Sequence, residues 1–163
     1  MEKAGTFVAR VTYVHGMLSS ASNRGTLWPL AAITLSLIAI GFVSNTPLRH
    51  VVQVIPLIVT LALALRGSQG APDAALPVYL FWLPIMIAIW LFLLGVSSIL
   101  KGHFTPAEIA LTIVIAAGCV SGIADSVRKS VSHWTARSAV FALFLALQFA
   151  AMWLSTRPSI SHR

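Results

Sequence analysis

Residues 76–100 read LPVYLFWLPIMIAIWLFLLGVSSIL, a run without a single acidic or basic side chain. About 20 mainly apolar residues suffice to carry an α-helix across roughly 30 Å of hydrocarbon, so this run is a membrane span. It exceeds the minimum and contains Pro77 and Pro84, which predicts a tilted helix with a bend. Working outward, the same pattern recurs on both sides and yields an all-α polytopic transmembrane bundle of about five spanning helices with amphipathic interfacial helices beside it. The predicted spans are 27–43, 48–65, 76–100, 106–124 and 138–155, within a transmembrane domain covering 26–156.

Composition requires the same architecture. Apolar residues make up 58% of the 163 and charged residues 9%, against about a quarter charged in a soluble domain. Such a chain cannot coat itself with polar surface, and no length remains for a separate soluble domain. The formal charge of +7 arises from 11 Lys and Arg against 4 Asp and Glu. Because the cations lie between apolar runs, they read as topology signals and contacts with anionic lipid headgroups rather than as a nucleic-acid surface.

Upstream of the longest run, Arg66 to Asp73 is rich in Gly, Ser and Pro and reads as a flexible connection. Before it, Val51 to Leu65 is the weakest span: it is short, contains Gln53 and is interrupted by Pro56, so a re-entrant segment is its alternative. Arg49 and His50 are placed to snorkel toward headgroups. Leu27 to Val43 ends at Ser44-Asn45-Thr46-Pro47, which makes the first two spans an antiparallel hairpin. Residues 1–25 form an amphipathic interfacial segment, with Phe7, Val11, Val14 and Leu18 on one helical face. No cleaved signal peptide is expected, and likeness to an organellar transit peptide is weakened by Glu2.

Downstream, Lys101 to Phe104 closes the long span, and Thr105-Pro106-Ala107-Glu108 opens the next. Asp125 to Ser138 reads as a polar connection containing a second surface helix. Its apolar face is Val127, Val131 and Trp134. Its basic face includes Arg128, Lys129 and Arg137, which are assigned to anionic lipid. Trp134 and Trp153 bracket the last run as interfacial aromatics, and 157–163 is a short polar tail.

With five spans, Lys3, Arg10, Arg24, Arg66, Arg128, Lys129 and Arg137 share one side, and Arg49, Lys101, Arg157 and Arg163 the other. The positive-inside rule then predicts a cytoplasmic amino terminus, and the compact loops fit a bacterial inner (plasma) membrane.

Polar residues inside apolar runs are the candidates for function. Glu108 is the only carboxylate at the start of a span. Thr105 three residues earlier and Pro106 between them favour a capping box over a proton carrier or cation ligand. Gln53 and Gln148 are amides expected to seek an interhelical hydrogen bond, with a solute contact as the sharper alternative. His103 lies close to Glu108 in sequence, but an acid–base enzyme has only that proximity for support. The other histidines are scattered, and Cys119 is the only cysteine. No metal, cofactor or catalytic residue is therefore expected. Gly118 and Gly122 form a GxxxG pair, and Ala142, Ala146 and Ala150 a stripe four residues apart. Both are helix-packing signals, within the chain, in a homo-oligomer or against other membrane subunits. These features favour a non-catalytic assembly, scaffolding or accessory subunit. The alternative is a small oligomeric transporter or channel built around the prolines, Gln53, Glu108 and Gln148.

Overall fold

The computed structural model describes residues 25–98, 103–129 and 134–157. The amphipathic stretch expected over 7–18 and the tail beyond Arg157 lie outside them. Among the described residues every regular element is an α-helix: α1 (Gly25–Val43), α2 (Pro47–Leu65), α3 (Ala71–Leu93), α4 (Pro106–Lys129) and α5 (Trp134–Ser155). Each is long and apolar enough to cross a bilayer, with mean hydropathy of 1.8 to 2.2 over its best window. The chain is a multi-pass membrane protein. α2, at 19 residues, is about 28 Å long at ~1.5 Å per residue. It runs unbroken through Pro56, so no re-entrant segment forms.

The helix ends explain where the spans differ from expectation. A helix in hydrocarbon must satisfy its last carbonyls before the chain turns, and three ends here use the same device. Gly95 (φ +72°) donates to Phe92 O at 2.9 Å while Val96 N–H donates to Leu91 O at 2.9 Å, a Schellman cap. Gly67 (φ +72°) and Ser68 close α2 onto Ala64 O and Leu63 O, and Asn45 (φ +57°) and Thr46 close α1 onto Phe42 O and Gly41 O. The stretch read as a flexible connection at 66–73 is therefore a tight cap followed by the first turn of α3. Pro72 and Asp73 in that turn favour initiation, and α3 occupies 71–93 rather than 76–100.

A second correction concerns 125–138. α4 continues to Lys129 and α5 begins at Trp134, so most of the expected surface helix belongs to the two spans. Arg128 and Lys129 complement the negative end of the α4 dipole, and Lys129 pairs with Asp125 at 2.7 Å.

α3 is the central helix and supplies more of the core than any other, from Ala71 through Tyr79 to Trp82 and Met86. We call the end of the bundle holding Gly25, Leu65, Ala71 and Lys129 the near end, and the other the far end. Every α3 residue from Ala71 to Tyr79 is buried, so the near half is closed. Small side chains permit this approach: a Cβ on Gly122 would clash with the Tyr79 ring, and one on Gly118 would lie 2.9 Å from Ile33. The GxxxG pair of α4 thus receives α3 at one glycine and α1 at the other. Tyr79 Oη donates to Thr26 O at 3.3 Å and Thr26 Oγ1 to Asp125 Oδ2 at 3.0 Å, which ties α3, α1 and α4 together. Arg137 Nε lies 3.4 Å from Asp73 Oδ1 and joins α5 to α3. Ala142, Ala146 and Ala150 all lie on the exposed face of α5.

Gly122→Ile is expected to destabilise the purified protein by about 1–3 kcal/mol through overpacking, and Ala146→Ile by under about 0.5 kcal/mol. Unfolding midpoints in mild detergent test both. Equal losses would contradict this packing.

Candidate functional site

The far half of the bundle is hollow. A cavity of about 410 Å³ is lined by residues from all five helices, toward the lower end of the volumes of small-molecule sites, roughly 300–1,000 Å³. It reaches from Ser44, Thr46 and Phe104 at the helix ends to Trp82, the middle residue of α3. Below Trp82 the bundle is sealed by Tyr79, Val78 and the alanines of α3, so the cavity does not continue past the middle of α3.

Its polar wall begins with α2. Thr46 precedes the helix but makes no side-chain cap bond, and the first turn holds no acid. Instead it holds Arg49, a cation at the positive end of the helix dipole. Arg49 Nε is buried without a hydrogen-bond partner, and no carboxylate among the described residues forms an ion pair with it. His50 Nδ1 lies 3.1 Å from Thr46 O, an atom that can only accept, so Nδ1 carries a proton and Nε2 is the free nitrogen. One turn deeper is Gln53. Opposite, on α3, the Trp82 side chain is 3% exposed and its Nε1–H has no partner. An unpaired buried donor of this kind costs about 1–3 kcal/mol.

Glu108 closes the wall from α4. Its Oε2 accepts from Thr105 N at 2.7 Å and Thr105 Oγ1 at 2.9 Å, while Glu108 N–H donates to Thr105 Oγ1 at 3.3 Å. Both halves of a capping box are present. The cap engages one carboxylate oxygen, and the side chain still lines the cavity with Arg49 and His50. His103, its neighbour in sequence, is exposed and is not part of the lining.

The two amides meet across α2 and α5. Gln148 Nε2 donates to Gln53 O at 3.3 Å, and Gln53 Nε2 donates to Ser155 Oγ at 3.0 Å. Gln148 Oε1 has no partner. Gln53 lines the cavity, whereas Gln148 is buried in the seam behind it. Of the basic residues assigned to lipid, Arg128 is exposed, Lys129 is held by Asp125 and Arg137 by Asp73.

Sequence reasoning missed Arg49, His50 and Trp82 as members of one site. The available signal was Arg49 itself, two residues after Pro47 in a helix first turn, where a cation is electrostatically misplaced. Compared with protein families, with curated proteins and with solved structures, the chain matches none.

Gln53→Leu is expected to cost about 1 kcal/mol, the size of an interhelical hydrogen bond in a membrane protein. Gln148→Leu is expected to be neutral or stabilising, because it removes an unpaired buried oxygen along with one long bond. Thermal unfolding of both variants checks this ordering, and the reverse ordering would contradict the hydrogen bonding described.

Proposed function

We propose that this protein admits a small polar solute into the far-end cavity from one face of the membrane, as a small carrier or as the binding part of one. The observation that carries this reading is a cavity of about 410 Å³ that reaches the middle of α3 and is lined by Arg49, His50, Gln53 and Glu108, polar side chains among apolar helices. Transporter sites commonly lie near the bilayer midplane, beside helix termini whose dipoles face the solute. The role is one of binding rather than catalysis: the Glu108 carboxylate is steadied by its cap and no second carboxylate lines the cavity. The cation bias, with Arg66, Arg128, Lys129 and Arg137 at the near end, supports a cytoplasmic near end in this reading. The cavity then faces outward.

A second reading, as an accessory subunit of a membrane complex or homo-oligomer, is favoured by α5. Its span is the least enclosed of the five, with 22% buried, and Ala142, Ala146 and Ala150 all lie on its exposed face. The two readings are compatible, since a five-helix unit can bind solute within a larger assembly.

The test uses cysteine labelling in a Cys119→Ala background. Ile85→Cys lines the cavity close to Trp82, and Ile87→Cys faces outward at similar depth, 52% exposed in the native side chain. A charged, membrane-impermeant thiol reagent is expected to modify Ile85→Cys from the outer face and to leave Ile87→Cys unmodified. If both cysteines are equally inert, the cavity does not admit water and the proposal fails.

A further inference from the structure

Building on the reading of the cavity as a solute site, we infer that its ligand is a zwitterion: an oxyanion and an ammonium group carried close together on an apolar body. The wall carries one guanidinium, Arg49, and one carboxylate, Glu108, and the two do not pair with each other. Their formal charges cancel, and neither forms an ion pair among the described residues. The hydrogen-bonding groups divide in the same way. Arg49 Nε and Trp82 Nε1 are donors without acceptors. Glu108 Oε1, the oxygen Thr105 does not engage, and His50 Nε2 are acceptors.

A simple anion would satisfy the donors and be repelled by Glu108. A simple cation would satisfy the acceptors and be repelled by Arg49. Only a ligand with both poles answers both charges, and the positive end of the α2 dipole adds to the attraction on the anionic side. Beside these groups and the uncharged polar Ser44, Thr46, Gln53 and Thr112, the lining includes Leu37, Ile40, Ile85, Met86, Ile89 and Met152, an aliphatic and thioether surface that fits an apolar side chain or an acyl stem. Two sources supply this chemistry: a free apolar amino acid from the aqueous phase, or an aminophospholipid headgroup from the adjoining leaflet.

The experiment uses the full chain in nanodiscs of phosphatidylcholine and phosphatidylglycerol. Binding of tritiated L-leucine is competed with 3-methylbutylamine, which lacks the carboxylate, and with 4-methylpentanoate, which lacks the ammonium. Each analogue is expected to compete at least about tenfold more weakly than leucine, the scale of one lost charge-assisted hydrogen bond. Arg49→Gln should remove the preference over the amine, and Glu108→Gln the preference over the acid. Both variants are compatible with folding, because Gln at the third helical position still closes a capping box and loss of Arg49 removes a cation from a positive helix end.

In a second arm, native mass spectrometry compares retention of phosphatidylethanolamine and phosphatidylglycerol. Failure of leucine to bind, together with selective retention of phosphatidylethanolamine that both variants abolish, supports the inference with the headgroup as the source. Equal or tighter binding of 4-methylpentanoate overturns it and leaves an anion site. If neither leucine nor phosphatidylethanolamine is held while Ile85→Cys is still labelled, the zwitterion is overturned and the solute cavity stands. An inert Ile85→Cys removes the reading beneath it.

Discussion

Hydrocarbon offers no hydrogen-bond partner, so every polar group this chain carries into the bilayer must be answered from within the chain. The fold is organised around meeting that demand. The backbone meets it with uninterrupted helices and three Schellman caps, at Asn45, Gly67 and Gly95, which turn the chain within a few residues. Buried hydroxyls meet it by bonding back to their own helix, as Thr34 does to Leu30 O and Thr60 to Pro56 O at 2.7 Å each. The amides meet it across α2 and α5. Against that background the unanswered atoms stand out. Two of them belong to residues that line one cavity, Arg49 and Trp82, whereas Ser126 and Gln148 lie apart from it.

The closed half and the hollow half depend on side-chain size along α3. From Ala71 to Ala75 the helix carries three alanines, a proline and Asp73, whose charge is met by Arg137, so neighbouring backbones can come close. Tyr79 ends this region, with its ring against Gly122 and its hydroxyl on Thr26 O. Beyond it α3 presents Trp82, Ile85, Met86 and Ile89, and these line a void instead of filling it. The near end is also where α1, α3, α4 and α5 are tied by hydrogen bonds and ion pairs. At the far end the polar ties run between α2 and α5, through Gln53 and Ser155.

The membrane class and the number of spans were legible because hydropathy over about 20 residues is a strong signal that needs no knowledge of neighbours. The capping box at Thr105 and Glu108 was legible for a similar reason, since its partners lie three residues apart. Boundaries were less so: Gly95 falls inside an apolar run, and only its positive φ reveals that the helix stops there. The GxxxG pair announced a close approach without saying that Tyr79 and Ile33 make it. The site was the least legible part. Helices this apolar have little amphipathic contrast to separate a cavity face from a lipid face, and the cavity joins the first turn of α2, the middle of α3 and the first turn of α4.

Arg49 shows how local reasoning and tertiary structure diverge at that site. Considered alone, a long cationic side chain at a span's edge snorkels to the headgroups and needs no further account. In the fold it lines the cavity instead, at the positive end of its own helix dipole, with Nε buried and no carboxylate paired to it. The positive helix end raises the energy of the charge, and no ion pair among the described residues offsets it. Glu108 is close enough to share the cavity, yet its capping bonds to Thr105 hold it at the start of α4 instead of releasing it to pair with Arg49. A guanidinium and a carboxylate that share one hollow without pairing would each be answered by a molecule carrying both complementary charges.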